Sequence, residues 1–501
     1  METLVRHLSI VLVFLTVGAF AWLYGGTRSD LFVPTIPWLW AFLMEALLFF
    51  PQRKPYEDGV AARQRLWKGL GRDPLLYVTF VLAVILVIPL TNRGLCAVCD
   101  YPAIMAGADP KPLIPFAPFC VDVRAHFGVL LWFLPSLTAM LAARHALLPS
   151  GKRMLMEMIV WNAVALAVLG FIQQAALAPA PFWIDDGIRS HFFSVFGYPN
   201  MAGAFFAAAF AFAVGLWLTR VAEVAKLPPI DRTKSLKPQK TNRWLRAHYP
   251  LAAAVLLFFA VLCTLCRSAM ISALVLSAVA FLYFECALIF SRRNRAVNFK
   301  KAVAGIVGGV VFVFGVNIFA PADWTRELGT VDSIEMLDRV SGKAQYHARV
   351  ALDIVKDYPL FGVGGWGYKH FCNGYLTEDE AKGGIQNSGG ANVHNDYLQF
   401  MCEHGILGFA CLVALFGLLV YPLFREWFAR YRAARFLKRE NAPPAPRVIY
   451  CIPAGVFWIL LGNTVLLVCA TGDCPFRAAS VMSMFFVSLA CADGYFEREN
   501  R

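Results

Sequence analysis

The chain has 501 residues, 58% of them hydrophobic and only 16% charged, with a net charge of +13. A soluble domain carries about 25% charge, so this composition excludes a soluble globular enzyme as the main architecture. The positive excess does not mark a nucleic-acid binder, because the basic residues sit in short segments between apolar runs, as they do in the inner loops of membrane proteins.

Apolar runs long enough to cross a hydrocarbon core roughly 30 Å thick recur along the whole chain. Backbone groups in lipid must be satisfied within their own segment, which selects helices, and no alternating ten-residue pattern points to a barrel. The sequence predicts an all-α polytopic membrane protein with about 12 transmembrane helices, at 8–26, 31–50, 75–91, 126–143, 155–177, 200–219, 250–266, 269–290, 302–320, 397–424, 449–470 and 479–495. The first run lacks a small-residue cleavage site followed by a soluble domain, and it reads as a span. Six basic residues in 51–74, eight in 220–248 and seven in 425–447 predict that these segments and both termini are cytoplasmic.

Two long outer loops follow from this alternation. The first, 92–125, contains Cys96, Cys99 and Cys120. In an oxidising space these residues read as disulfide partners, with a metal site as the sharper alternative. The second, 321–396 between spans 9 and 10, carries a helix-like segment from Ile334 to Tyr358, then a Gly-rich turn through Gly362, Gly364, Gly365 and Gly367, and a polar stretch that ends at His394. A loop of this length with aromatics and a helix reads as a folded cap over the outer face. The turn is no dinucleotide fingerprint, since no βαβ unit surrounds it. Its glycines allow close backbone approach to another element or to a ligand.

Three positions invite chemistry. Arg267 stands between two apolar runs at the outer boundary, either snorkelling to headgroups or facing inward to bind an anion. Arg349 lies on the cap helix as a solvated side chain or as a ligand for phosphate oxygens, with Arg339 as its competitor. His394 opens the apolar run at 397–424, as an interfacial histidine or as a proton acceptor. Asn395 and Asp396 suit a helix N-terminus, and Glu403 inside the run requires a partner. His404 reads as an ordinary histidine inside the membrane helix.

His394-Asn395-Asp396-Tyr397-Leu398 followed by Glu403-His404-Gly405-Ile406-Leu407-Gly408 resembles the signature of the O-antigen ligase and polymerase superfamily of bacterial inner-membrane proteins. Phe196-Gly197-Tyr198-Pro199-Asn200 resembles its Gly-x-Pro-Asn element. Cys266-Arg267-Ser268 resembles its Ser-Arg-Ser element, with Cys in place of the first Ser. The stretch from Arg349 to Pro359-Leu360-Phe361-Gly362-Val363-Gly364 resembles its Arg-bearing helix and Pro-Leu-x-Gly-x-Gly turn. The resemblance covers 196–424, set between a helical segment 1–195 and a C-terminal segment 425–501 with a basic loop.

The resemblance implies a metal-independent, inverting glycosyltransferase of the inner membrane with its active site facing the periplasm. The donor would be a glycan on undecaprenyl pyrophosphate, and the acceptor a saccharide, either lipid A-core or a growing polysaccharide. It implies His394, Arg267 and Arg349 as catalytic residues and Asn200, Arg339, Gly364 and Asn395 as substrate-binding ones. Membrane lipid is the other expected partner, and no cofactor, metal or nucleic acid is implied. A ligase is preferred for the single large outer loop beside the histidine, with a polymerase or a protein O-oligosaccharyltransferase as alternatives. A transporter is the rival from another class, but it predicts paired repeats with broken helices, and none is visible.

Overall fold

The computed structural model describes residues 2–27, 35–92, 114, 117–184, 192–225, 237–289, 303, 305, 307–309, 334–375, 377, 392–438 and 452–496. The regular structure among them is helical, and an isolated bridge joins Phe193 and Phe196. The all-α expectation therefore holds, but the expectation of twelve spans does not. Among the described residues six helices are long and apolar enough to cross a membrane: Val123–His145, Pro149–Ala175, Pro199–Val224, Asn242–Cys263, Arg267–Glu285 and Asp396–Ala433. A seventh appears if Gly59–Leu70 and Pro74–Leu90, bent by 68°, count as one span.

Four runs read as spans are shorter helices, His7–Trp22, Ile36–Leu48, Ala454–Cys469 and Ala479–Tyr495. The physical reason is clearest in Ala479–Ala492, where every residue is buried by protein. An apolar run of this length is a core helix, because its apolarity serves contact with other helices instead of contact with lipid. Of the expected span at 302–320 only residues 303, 305 and 307–309 are described. With the spans recounted, the numbering of a loop between a ninth and a tenth span falls, although residues 334–357 do form a helix.

The chain divides into two compact units. The first comprises Met1–Ile159, Glu335–Val456 and Leu467–Arg501. Its helices start where side chains cap them: Asp58 accepts from the Ala61 amide at 2.6 Å, Asp73 from Leu75 at 3.0 Å and Asp122 from Ala125 at 2.9 Å. Asp73 also receives Arg144 at 2.6 Å, tying the start of the Pro74–Val87 helix to the end of Val123–His145. The buried Ala479–Ala492 helix packs on Val123–His145 and on Glu2–Trp22. The Ile334–Asp357 helix buries Val350, Ala351, Ile354 and Val355 against Val363, Tyr368, Phe371 and Val393. This cluster fixes the helix beside the segment that leads into His394.

The second unit comprises Val160–Ile334 and Phe457–Leu466. Its centre is the Pro199–Ala225 helix, whose Ala207, Ala208, Ala209, Ala211 and Ala213 are all fully buried. Small side chains let helices approach closely where lipid supplies no hydrophobic drive between them. Helices Lys237–Cys263 and Arg267–Ile289 pack on it.

Candidate active site

The Asp396–Lys438 helix carries the motif that ends the polar stretch. Asn395 caps it, its Oδ1 accepting from the amides of Tyr397 and Leu398 at 3.1 Å each. The Asn395 amide group donates to the Thr471 carbonyl at 3.1 Å. The Asp396 amide donates to Ala470, its carboxylate accepts from the Phe476 amide at 2.8 Å, and the Tyr397 hydroxyl donates to Leu467 at 2.7 Å. Four successive contacts thus fasten the start of this helix to the segment 467–476. Asn395, expected to bind substrate, has its side chain committed to this fastening.

His394 stands immediately before the cap with φ +54, a backbone conformation uncommon for a residue with a Cβ. Its side chain is 51% exposed, and its Nδ1 faces an Asp473 carboxylate oxygen at 3.5 Å. The same oxygen accepts from the Cys474 amide at 2.8 Å, which holds the carboxylate in place. A carboxylate can only accept, so a hydrogen bond across this contact requires the imidazole proton on Nδ1, the tautomer in which Nε2 is the basic nitrogen. The His394 ring lies 6.0 Å from that of His347, a buried residue of the Ile334–Asp357 helix whose Nδ1 meets the Tyr368 hydroxyl at 2.7 Å. Burial pushes the Tyr368 hydroxyl well above its ordinary pKa, so this partner stays neutral.

Below His394 the helix is broken at Gly405, with φ +69 and ψ 179. The Gly-rich turn fills the break. Val363 and Gly364 donate to the carbonyls of Cys402 and Glu403 at 3.1 and 2.8 Å, and Ile406 and Leu407 donate to Pro359 and Leu360 at 2.8 and 3.3 Å. Backbone groups released by the break are thereby satisfied inside an apolar surrounding, which is the condition for breaking a helix there at all. A Cβ on Gly405 would meet the Leu360 carbonyl oxygen, and one on Gly364, at φ +82, would lie 2.7 Å from the Phe119 carbonyl. Gly364, expected to bind substrate, therefore docks against protein. Gly405→Ala is expected to cost at least about 1–3 kcal/mol from the backbone strain alone. Thermal unfolding in detergent would show it, and an unchanged midpoint would mean the break is not required.

Glu403, which the sequence left in need of a partner, has two. Its Oε2 accepts from Arg477 Nη2 at 2.6 Å and its Oε1 from Gln399 Nε2 at 3.0 Å. The Arg477 guanidinium packs over the Trp366 ring at 4.5 Å. Burial opposes the charge on Arg477, but Glu403 and Asp396 outweigh it and hold the guanidinium protonated. Asp396, Glu403 and Arg477 form the polar end of a cavity of about 280 Å³ whose other walls include Phe133, Phe400, Phe416 and Phe485. His404 lies buried against Phe400 at 4.6 Å, as its ordinary reading implied.

Arg349 lies on the helix that bears His347, 39% exposed, donating to Asp353 at 3.3 Å and to the Tyr375 carbonyl at 3.3 Å, with its guanidinium 5.8 Å from the Tyr346 ring centre. Arg339 is on the same helix, and its side chain is outside the described residues. Cys120 is buried with its thiol 3.2 Å from the Pro89 carbonyl, and Cys96 and Cys99 are outside the described residues. Asn200 and Arg267 belong to the second unit. Arg267 opens the Arg267–Ile289 helix after a tight turn at Leu265, φ +56, and Asn200 sits in the first turn of Pro199–Ala225 with its amide 3.1 Å from the Tyr198 hydroxyl. A Cβ on Gly203 would collide with Cys266 and Ala269, so the first turns of the two helices abut.

Asp473, Arg477 and His347 were not identified from the sequence. A signal existed for two of them: between residues 448 and 492 the only Asp, Glu, Lys or Arg are Asp473 and Arg477. An isolated pair of charges in 45 apolar and polar residues marks a site more sharply than either does alone. His347 carried no such signal.

No curated protein matches the chain. Residues 252–413 match the model of a family described as O-antigen ligase, a span that includes Arg267, Arg349, the Gly-rich turn and the His394 motif. Residues 252–413 are thus an O-antigen ligase-type domain, and together with the long apolar helices of a multi-pass membrane protein this similarity supports a glycan-handling membrane enzyme.

Proposed function

We propose that the protein transfers a glycan from undecaprenyl pyrophosphate to a saccharide acceptor on the periplasmic face of the inner membrane, with lipid A-core as the preferred acceptor. The observation that carries this reading is the exposed imidazole of His394 held against the Asp473 carboxylate at 3.5 Å. Nε2 takes the proton of the attacking sugar hydroxyl, and Asp473 stabilises the imidazolium that results, acting as a positioning residue. The hydroxyl oxygen bonds to the anomeric carbon as the bond to the pyrophosphate oxygen breaks, inverting the configuration. The leaving pyrophosphate gains negative charge, which calls for fixed positive groups.

Within the first unit Arg349 is the candidate for that charge. Within the second, Arg267 is favoured by its position at a helix start, where unpaired amides and the helix dipole attract anions. Arginine supplies this charge through a planar fork, so the reading routes no step through a metal. Arg267→Lys is expected to lower transfer about 10-fold or more, because Lys keeps the charge but loses bidentate contact. Initial rates with a lipid-linked glycan check this, and an unchanged rate would remove Arg267 from the machinery.

The test of the whole reading supplies undecaprenyl-pyrophosphate glycan to the reconstituted protein with lipid A-core, a repeat-unit acceptor or a Ser/Thr peptide in separate reactions. Mass spectrometry then identifies the new linkage. Product on lipid A-core supports the ligase, and product only on the other acceptors replaces it with a polymerase or a protein glycosylation enzyme.

A further inference from the structure

The segment 473–474 holds more than a carboxylate beside His394. His394 Nδ1, an Asp473 carboxylate oxygen and Cys474 Sγ lie within 4.8 Å of one another. Nitrogen, oxygen and sulfur donors are the set that a zinc ion takes. Two ligands on a tetrahedral zinc ion, with bonds of about 2.0–2.2 Å, stand about 3.4 Å apart. The observed separation of Nδ1 and the Asp473 oxygen is 3.5 Å, close to that value.

The surroundings hold the donors in place. Gln399 Oε1 accepts from the Val393 amide at 3.0 Å and from the Cys474 thiol at 3.7 Å, so one side chain anchors both ligand-bearing segments. Asn395 ties the same two segments through Thr471. Hydrogen bonds that fix ligands from behind are what a metal site requires beyond its ligands. Asp473 and Cys474 are buried and His394 is exposed, so the cluster reaches the surface at its imidazole, and three protein ligands leave a fourth position for an exchangeable one.

We propose that His394, Asp473 and Cys474 form a binding site for a zinc ion, and that its occupation switches transfer off. On binding, the imidazole proton moves from Nδ1 to Nε2 through solvent, the thiol proton leaves to solvent, and Nδ1, the carboxylate and the thiolate bond the ion. Nε2 then bears a proton and has no lone pair to accept another, so the base is silenced. The ion thus acts as an inhibitor and has no part in the chemical step. The inhibitory half rests on the transferase reading, whereas the binding half does not.

The experiment uses the full-length protein in nanodiscs. Zn²⁺ affinity is measured by competition with a chromophoric chelator, and Co²⁺ is added separately to look for the near-ultraviolet band of a cobalt–thiolate bond. We expect the band in the wild type, its loss in Cys474→Ser, and zinc affinity at least 10-fold weaker in both Cys474→Ser and Asp473→Asn. Serine keeps the hydrogen bond to Gln399, so Cys474→Ser is expected to fold, and Asp473→Asn provides a second variant on a different ligand. A cobalt band and zinc affinity unchanged in both variants, or no band in the wild type, would overturn the site. In the transfer assay, zinc is expected to stop the wild type reversibly with EDTA. Measured against its own metal-free rate, Cys474→Ser should need at least 10-fold more zinc for the same inhibition. Full transfer with zinc bound overturns the switch. Absence of transfer from every donor overturns the enzymatic reading and leaves the cobalt band to decide the site.

Discussion

Replacing His394 with Ala should lower glycan transfer by about two to four orders of magnitude, the usual contribution of a positioned general base. The folded protein should survive the change, because the side chain is half exposed and outside the buried cluster on the Ile334–Asp357 helix. Asp473→Asn should lower the rate less, and through kcat with KM for donor and acceptor little changed. The amide can still occupy the same space, but it cannot compensate the charge of the imidazolium and no longer fixes the proton on Nδ1. Rates measured over a range of both substrates check this. A His394→Ala protein with the wild-type rate would remove the base from the mechanism, and an Asp473→Asn protein altered only in KM would make Asp473 a substrate-binding residue.

A different outcome is expected at Arg477, where folding is at stake. Arg477→Met would leave Glu403, which is 1% exposed, and Asp396 buried without their common cation. Breaking a buried pair by removing one partner costs about 3–5 kcal/mol, a large share of the stability of most proteins. The single variant should purify poorly and unfold at a lower temperature. Glu403→Gln should be milder, because Asp396 still faces the guanidinium. The double variant Glu403→Leu with Arg477→Met should recover much of the loss, since apolar residues of similar volume replace buried pairs well. Size-exclusion chromatography and thermal unfolding distinguish the cases. If Arg477→Met is as stable as the wild type, the pair is not what fastens the 473–477 segment to the Asp396–Lys438 helix.

These two expectations separate the kinds of residue that the motif contains. Of its members, His394 faces outward, while Asn395, Glu403 and Gly405 serve the helix start, the buried pair and the break. The Gly-rich turn has the same character, because Val363 and Gly364 donate to the helix that Gly405 interrupts. Two stretches 40 residues apart in the chain are parts of one structural device. Its separate halves read as a turn and as a helix with small residues, and no periodicity links them.

Helix positions were legible because each apolar run must satisfy its own backbone, and the starts at Val123, Pro199, Arg267 and Asp396 fall within a few residues of expectation. Their number as spans was not, because hydropathy reports that a helix avoids water without reporting what it meets instead. Ala479–Ala492 meets protein on every side, whereas only 28% of the apolar window in Asp396–Ala433 is buried by protein. The same limit applied to the site. His394, Glu403 and the two arginines stand out in one dimension, since a titratable or charged group in apolar surroundings is costly and needs a reason. Asp473 is 79 residues from His394 and Arg477 is 74 from Glu403. Those pairings depend on hydrogen bonds from Asn395, Asp396 and Tyr397 to the segment 467–476, which exist only once the helices have packed. Residue type thus identified the groups able to do chemistry, and folding chose their partners, because a carboxylate orients an imidazole only across a distance that packing sets.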